Sequence, residues 1–188
     1  MVQTPSSMLE LGTEAPDFAL PEPATNQQVS LSEQEGKPLL VVFSCNHCPY
    51  VLHLIDAFVK LANAARQRGL AVVMISANDV TGYPQDGPQQ MAEFARSHSF
   101  EFAYLYDESQ EVARAYRATC TPDFFLFDEQ HRLVYRGQFD GSRPGNSAPV
   151  DGADLCAAID AVLSGVETSE QQIPSVGCSI KWRAGNEP

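Results

Sequence analysis

Two continuous apolar runs frame this chain. Leu39-Leu40-Val41-Val42-Phe43 and the stretch from Leu70 to Ser76 show no polar alternation, the pattern of strands covered on both faces. Between them, apolar side chains recur at helical spacing: Val51, Ile55, Phe58 and Ala62, with Leu54, Leu61 and Ala65 alongside. Pro49 fits only in a first helical turn, so this helix begins there, and Gly69 stops it. The pattern predicts further helices over 89–97, 108–116 and 153–163. Strands are predicted over 102–106, 124–127 and 133–135, the last two joined through 128–132. Short strands are expected near 18–20 and 29–31, with turn-rich loops over 78–88 and 137–151. Residues 1–11 read as a loose segment, 12–164 as one domain and 165–188 as a tail packing on it. The resulting class is an α/β layer sandwich with a central mixed sheet, its parallel strands joined by crossover helices.

The chemistry lies at the junction of the first buried strand and the first helix. Cys45-Asn46-His47-Cys48 occupies it. Free N–H groups and the helix dipole at such a junction favour a thiolate. A thiolate three residues from a second thiol attacks a disulfide, and the second thiol resolves the mixed disulfide. We therefore expect Cys45 to be an exposed nucleophile and Cys48 a shielded resolving thiol. The competing reading is half a zinc site or two core cysteines. A closed structural zinc site needs four ligands, and there is no second Cys-x-x-Cys. Protonated His47 would stabilise the neighbouring thiolate; otherwise it is a solvated first-turn side chain.

Charge and cysteine count narrow the setting. The 188 residues carry a formal net charge of −12 and only three lysines. Without a basic cluster, nucleic acid and anionic membrane surfaces are not expected partners. No apolar run approaches membrane-spanning length. Residues 1–11 lack the basic and apolar segments of a secretory signal. Five cysteines in a chain of this length suit a reducing cytoplasm. The motifs call for no cofactor and no metal.

Gly12-x-x-Ala15-Pro16-Asp17-Phe18-x-Leu20, Cys45-Asn46-His47-Cys48, and Thr121-Pro122 before Phe124-Phe125-Leu126-Phe127 together resemble the thioredoxin-fold superfamily. Within it, they are similar to its alkyl hydroperoxide reductase/thiol-specific antioxidant branch. The tail Gly177-Cys178-Ser179-Ile180-Lys181-Trp182 resembles the ending of a peroxiredoxin-like subgroup. The resemblance implies a thioredoxin-like three-layer sandwich, a cis Pro122 abutting the redox pair, and a Thr121 backbone that receives an extended substrate. It also implies a disulfide-containing protein or small-thiol substrate and an external thiol reductant. Two departures stand out. The threonine that a typical peroxiredoxin carries three residues before its peroxide-reducing cysteine is absent in either register, since Cys45 or Val42 holds that place. The buried aspartate that thioredoxins carry six residues before the first cysteine is replaced by Leu39.

The remaining thiols divide. Cys120, two residues before Pro122, is an auxiliary thiol or a small buried hydrophobe. Cys178, in a tail that looks mobile, is a possible auxiliary thiol, though simple packing is the stronger reading. Cys156 reads as core, and His53 as helix surface. Three functions follow: a thiol–disulfide oxidoreductase, a thiol peroxidase whose Cys45 passes through a sulfenic acid, or a metal-binding module using Cys45, Cys48 and a histidine.

Overall fold

The computed structural model describes residues 3–187. Its central sheet has five strands: β4 (Leu39–Phe43), β5 (Ala71–Ser76), β6 (Ala103–Tyr106), β8 (Asp123–Phe127) and β9 (Leu133–Tyr135). Their order is β6-β5-β4-β8-β9. β4 runs parallel to β5, and β5 to β6, whereas β8 is antiparallel to both β4 and β9. A hairpin of β2 (Ala19–Glu22) and β3 (Gln27–Ser30) stands apart. A three-stranded sheet, β1-β10-β7, joins Gln3–Pro5, Val176–Ser179 and Cys120–Thr121.

The period of two along a strand explains the layers. Leu40 and Val42 face α1 (Pro49–Gln67), α2 (Pro88–Ser97) and α4 (Ala153–Leu163), in a core that includes Phe58, Met91, Phe124 and Leu155. Leu39, Val41 and Phe43 face the other way, onto Phe18, Leu20, Tyr116 and Phe125, a core completed by α3 (Glu111–Ala115). All five β4 residues are at most 1% exposed, which is why that strand shows no polar alternation. This is the expected thioredoxin-like sandwich. Among the described residues, no helix is long and apolar enough to cross a membrane.

Three expectations need correction. Residues 3–5, read as loose, pair as β1 with β10. The tail, read as mobile, supplies β10 as the middle strand of its sheet, with Cys178 buried. The helix expected over 108–116 is shorter. Gln110 takes a left-handed φ of 65°, and its side-chain amide is spent on the Ala77 and Lys181 carbonyls. The Asp107 carboxylate then accepts the Ala113 N–H at 2.8 Å inside the new first turn.

Gly177 sets how closely β10 approaches the loop around Pro122. A Cβ there would lie 2.0 Å from the Thr121 carbonyl oxygen and 2.6 Å from its carbon, both backbone atoms. Gly177→Ala should therefore cost roughly 1–3 kcal/mol, the range for overpacking. Gly141→Ala, whose Cβ meets nothing within 4 Å, should stay within about 0.5 kcal/mol. Urea denaturation of the two variants checks this; equal stabilities would show that β10 has room to shift.

Candidate active site

Cys45 leaves the end of β4, and Cys48 caps the N-terminus of α1, with Pro49 in the first helical position. The segment Cys120–Thr121–Pro122 crosses over them. The Thr121–Pro122 peptide is cis. The Thr121 hydroxyl lies 3.5 Å from the Cys45 Sγ, and the Cys48 thiol donates to the Thr121 carbonyl at 3.1 Å. One residue thus touches both sulfurs. None of the five cysteines is in a disulfide. Cys45 is 1% exposed and Cys48 fully buried, so the expectation of an exposed Cys45 is overturned: the strand over the pair shields both. The two still differ in surroundings. Cys45 is followed by half-buried Asn46 and His47, whereas Cys48 is enclosed by Thr121, Cys178 and α1.

The Asn46-His47 turn is held from below by Asp86, a fully buried carboxylate. Its Oδ1 accepts the Asn46 N–H at 2.8 Å. Its Oδ2 accepts the Asn78 side-chain amide at 2.8 Å and lies 2.7 Å from the His47 Nδ1. The Asn46 amide donates to the Gln85 carbonyl at 2.9 Å, and the Tyr104 hydroxyl donates to the Asn46 Oδ1 at 3.0 Å. His47 stacks on Tyr83, with ring planes 8° apart and centroids at 5.4 Å. These contacts fix where His47 would place a positive charge when protonated. Asp86, Asn78 and Tyr104 were not read as site residues from the sequence. Asp86 ends a short 3-10 turn, Pro84–Asp86, in the turn-rich loop, where an acidic residue looks like ordinary loop polarity.

The two sulfurs influence each other's protonation. Cys45 is pushed well up by its hydrogen bond to Cys48, then by burial and by the Asp86 charge. Cys48 is held at about 5, chiefly by the bond from Cys45, with smaller pulls from Cys178, the Thr121 hydroxyl and the Val51 backbone N–H. This suits a sulfur at a helix N-terminus. The contacts of Cys45 favour a proton on its own sulfur, and the Thr121 carbonyl favours one on Cys48. The Thr121 carbonyl contact is open only to a protonated Cys48, so moving the proton between sulfurs exchanges one set of contacts for the other.

The other thiols are placed unevenly. Cys120 and Thr121 alternate across β7, so Cys120 turns from the pair and its thiol reaches the Pro122 carbonyl at 3.6 Å. Burial, then the nearby Asp123 carboxylate, pushes its pKa up, and it stays a protonated small hydrophobe. Asp123 is itself buried, and burial raises it to about 7. Cys178 lies across from Thr121 in the β10–β7 register. Cys156 is only half-buried, its thiol facing Asp160 across one helical turn at 3.8 Å, so it is not the core residue expected. His53 is half-buried on α1. Among the described residues, the group that offers a metal three donors is Cys45, His47 and Asp86, their ligand atoms within 4.8 Å of one another. It differs from the expected Cys45, Cys48 and histidine set, and both Asp86 oxygens are already engaged.

Two buried thiols thus lie at a strand–helix junction facing a cis-proline loop. The chain belongs to the AhpC/TSA family, which matches residues 11–136. It is 26% identical over 135 residues to peroxiredoxin Bcp of Escherichia coli K12, covering 71% of this chain and 81% of Bcp. It is 24% identical over 128 residues to the thiol-disulfide oxidoreductase ResA of Halalkalibacterium halodurans, covering 68% of each. A crystal structure of an uncharacterized conserved protein from Geobacillus kaustophilus superposes with a TM-score of 0.95 at 46% identity, over 97% of both chains.

The pKa directions set a pH signature. Between about 5 and the ordinary thiol value of 9.0, the unfolded chain keeps a proton on Cys48 that the folded protein has released, so reduced-state stability should rise with pH. Above 9.0 the sign reverses, because Cys45 keeps its proton only when folded. Urea denaturation under reductant should show the wild type gaining stability over Cys48→Ser through the lower window. The comparison cancels the opposite trend from Asp123, which is present in both proteins. A constant difference from pH 5 to 9 would place no charge on Cys48.

Proposed function

We propose that the protein is a thiol–disulfide oxidoreductase cycling between a Cys45/Cys48 dithiol and its disulfide. The observation that carries this is the pair of buried sulfurs held under one residue, Thr121, at 3.5 Å and 3.1 Å: in this reading Cys48 acts as the base for Cys45, then as the resolving thiol. As the Cys45 sulfur attacks a substrate disulfide, its proton passes to the Cys48 sulfur, already its hydrogen-bond acceptor. One S–S bond breaks and a mixed disulfide on Cys45 forms, releasing the first substrate thiolate. That thiolate takes up a proton. The Cys48 sulfur gives up its own proton and attacks the Cys45 sulfur, expelling the second substrate thiol and closing the Cys45–Cys48 disulfide. An external thiol reductant restores the pair, and relative reduction potentials set the direction of net flow.

His47, fixed by Asp86 and Tyr83, serves as a positioned polar ring beside Cys45. The edge at Thr121–Pro122 receives an extended substrate chain by main-chain pairing. The substrate is a disulfide-containing protein or small disulfide, and the setting is a reducing cytoplasm. Residues 12–164 form the redox domain in this reading, and the tail completes it.

A second reading, thiol-dependent peroxidase, has two supports. One is the relation to a peroxiredoxin. The other is the Thr121 hydroxyl at 3.5 Å from the Cys45 sulfur, which supplies from the cis-proline loop a threonine the sequence lacks three residues upstream. In that reaction Cys45 attacks a peroxide oxygen, becomes a sulfenic acid and condenses with Cys48, losing water.

Trapping separates the roles of the two thiols. Cys48→Ser should accumulate mixed disulfides through Cys45, and Cys45→Ser should accumulate none, as read on non-reducing gels after acid quench. Trapping only by Cys45→Ser would reverse the order of attack. No trapping by either variant would remove the oxidoreductase reading.

A further inference from the structure

Strand β10 brings a third thiol to the redox pair. Its register sets Cys178 directly across from Thr121, and side chains opposite each other in an antiparallel pair share a face. Thr121 is the residue that contacts both Cys45 and Cys48, so its face is the face of the pair. The position is held from both sides. The Ser175 hydroxyl donates to the Pro122 carbonyl at 2.7 Å, the Ser6 N–H donates to the Ser175 carbonyl at 2.8 Å, and the Thr4 and Ser179 hydroxyls meet at 2.6 Å. Gly177 lets the strand close on the Thr121 carbonyl, where any Cβ would collide. The result is hydrogen bonding between Cys178 and Cys48, felt on both: it lowers Cys48 and raises Cys178.

We infer that Cys178 is the third member of a thiol-exchange site: once Cys45 and Cys48 have joined, it attacks the Cys48 sulfur and moves the disulfide to Cys48–Cys178, returning Cys45 as a thiol. This rests on the dithiol reading above and adds a second oxidised form to it. The exchange balances without any outside reagent. The Cys45–Cys48 bond breaks, the Cys48–Cys178 bond forms, and the Cys178 proton ends on Cys45. No net oxidation or reduction occurs.

The arrangement also gates the step. In the reduced protein, burial and then the bond to the Cys48 sulfur hold Cys178 up at about 12, with the Cys48 charge adding to this, so it is a thiol and only a hydrogen-bond donor. When Cys48 enters a disulfide it carries no charge, so its own share of that hold on the Cys178 proton ends while the share from burial remains. Cys178 already lies beside its target and so has no encounter to wait for. The oxidising equivalent then sits between α1 and β10, and Cys45 is free to engage a second disulfide while the protein is still oxidised.

The test uses the full chain. Reduced protein is oxidised with diamide and the oxidant is removed. Samples are acid-quenched over time, alkylated with N-ethylmaleimide, digested and mapped by mass spectrometry. The Cys48–Cys178 bridge should grow as Cys45–Cys48 declines, with total thiols constant and label appearing on Cys45. In Cys178→Ala, the label on Cys45 of the oxidised protein should fall to background while Cys45–Cys48 still forms. Should that variant not fold, the wild-type time course alone decides. A lasting Cys45–Cys48 bridge with Cys178 fully alkylated would overturn the exchange and leave the dithiol reading intact. A Cys45–Cys178 bridge would overturn it by naming the wrong target. Failure to form any bridge between these three residues would remove both.

Discussion

The structure turns on one residue's two contacts: the Thr121 carbonyl on the Cys48 sulfur and the Thr121 hydroxyl beside the Cys45 sulfur. They lay the strand before Pro122 across a pair of buried thiols, and the rest of the site follows from that closure. Water is kept from the sulfurs, so the hydrogen bond between them is stronger than it would be in solution and couples their protons. The same strand edge carries β10, and through it both ends of the chain, into the wall of the site. Segments outside the family-matched region, 11–136, thus pack beside the cysteine pair.

Burial of this kind has an electrostatic cost that the fold meets locally. Asp86 is a fully buried carboxylate close to a thiol, and its charge disfavours a thiolate on Cys45. Two directed N–H donors and the His47 ring engage its oxygens, which offsets its burial. The consequence is an asymmetric pair. Asp86 lies nearer Cys45, so a negative charge is disfavoured there, whereas Cys48 sits at the helix N-terminus, which favours one. β4 holds no carboxylate, Leu39 included; the buried carboxylate beside the pair comes from the loop at Asp86. It fixes the turn between the cysteines.

Much of this was legible in the chain. β4 is a five-residue apolar run, and α1 has unbroken helical periodicity behind Pro49, because both are buried elements whose pattern reports their surroundings. Cys45, Cys48 and the Thr121–Pro122 segment follow from their places beside such elements. What was illegible depended on contacts between distant segments. Asp86 sits in a loop 40 residues from Asn46, and no local pattern says that its carboxylate turns inward. β10 has four residues, one of them Gly177, too few and too irregular for a strand signature. Its order comes from pairing with β1 and β7. The burial of Cys45 likewise arises from what covers the pair. Helix-end reasoning did not locate the cap, which is Cys48 and not Cys45.

The dithiol account is tested most directly by presenting one reduced sample, in parallel, with a protein disulfide and with hydrogen peroxide, and counting thiols lost against substrate consumed. It predicts that each disulfide reduced removes two protein thiols, those of Cys45 and Cys48, and that this proceeds faster than peroxide consumption at equal concentration. Rapid peroxide consumption with no reduction of the protein disulfide would contradict it.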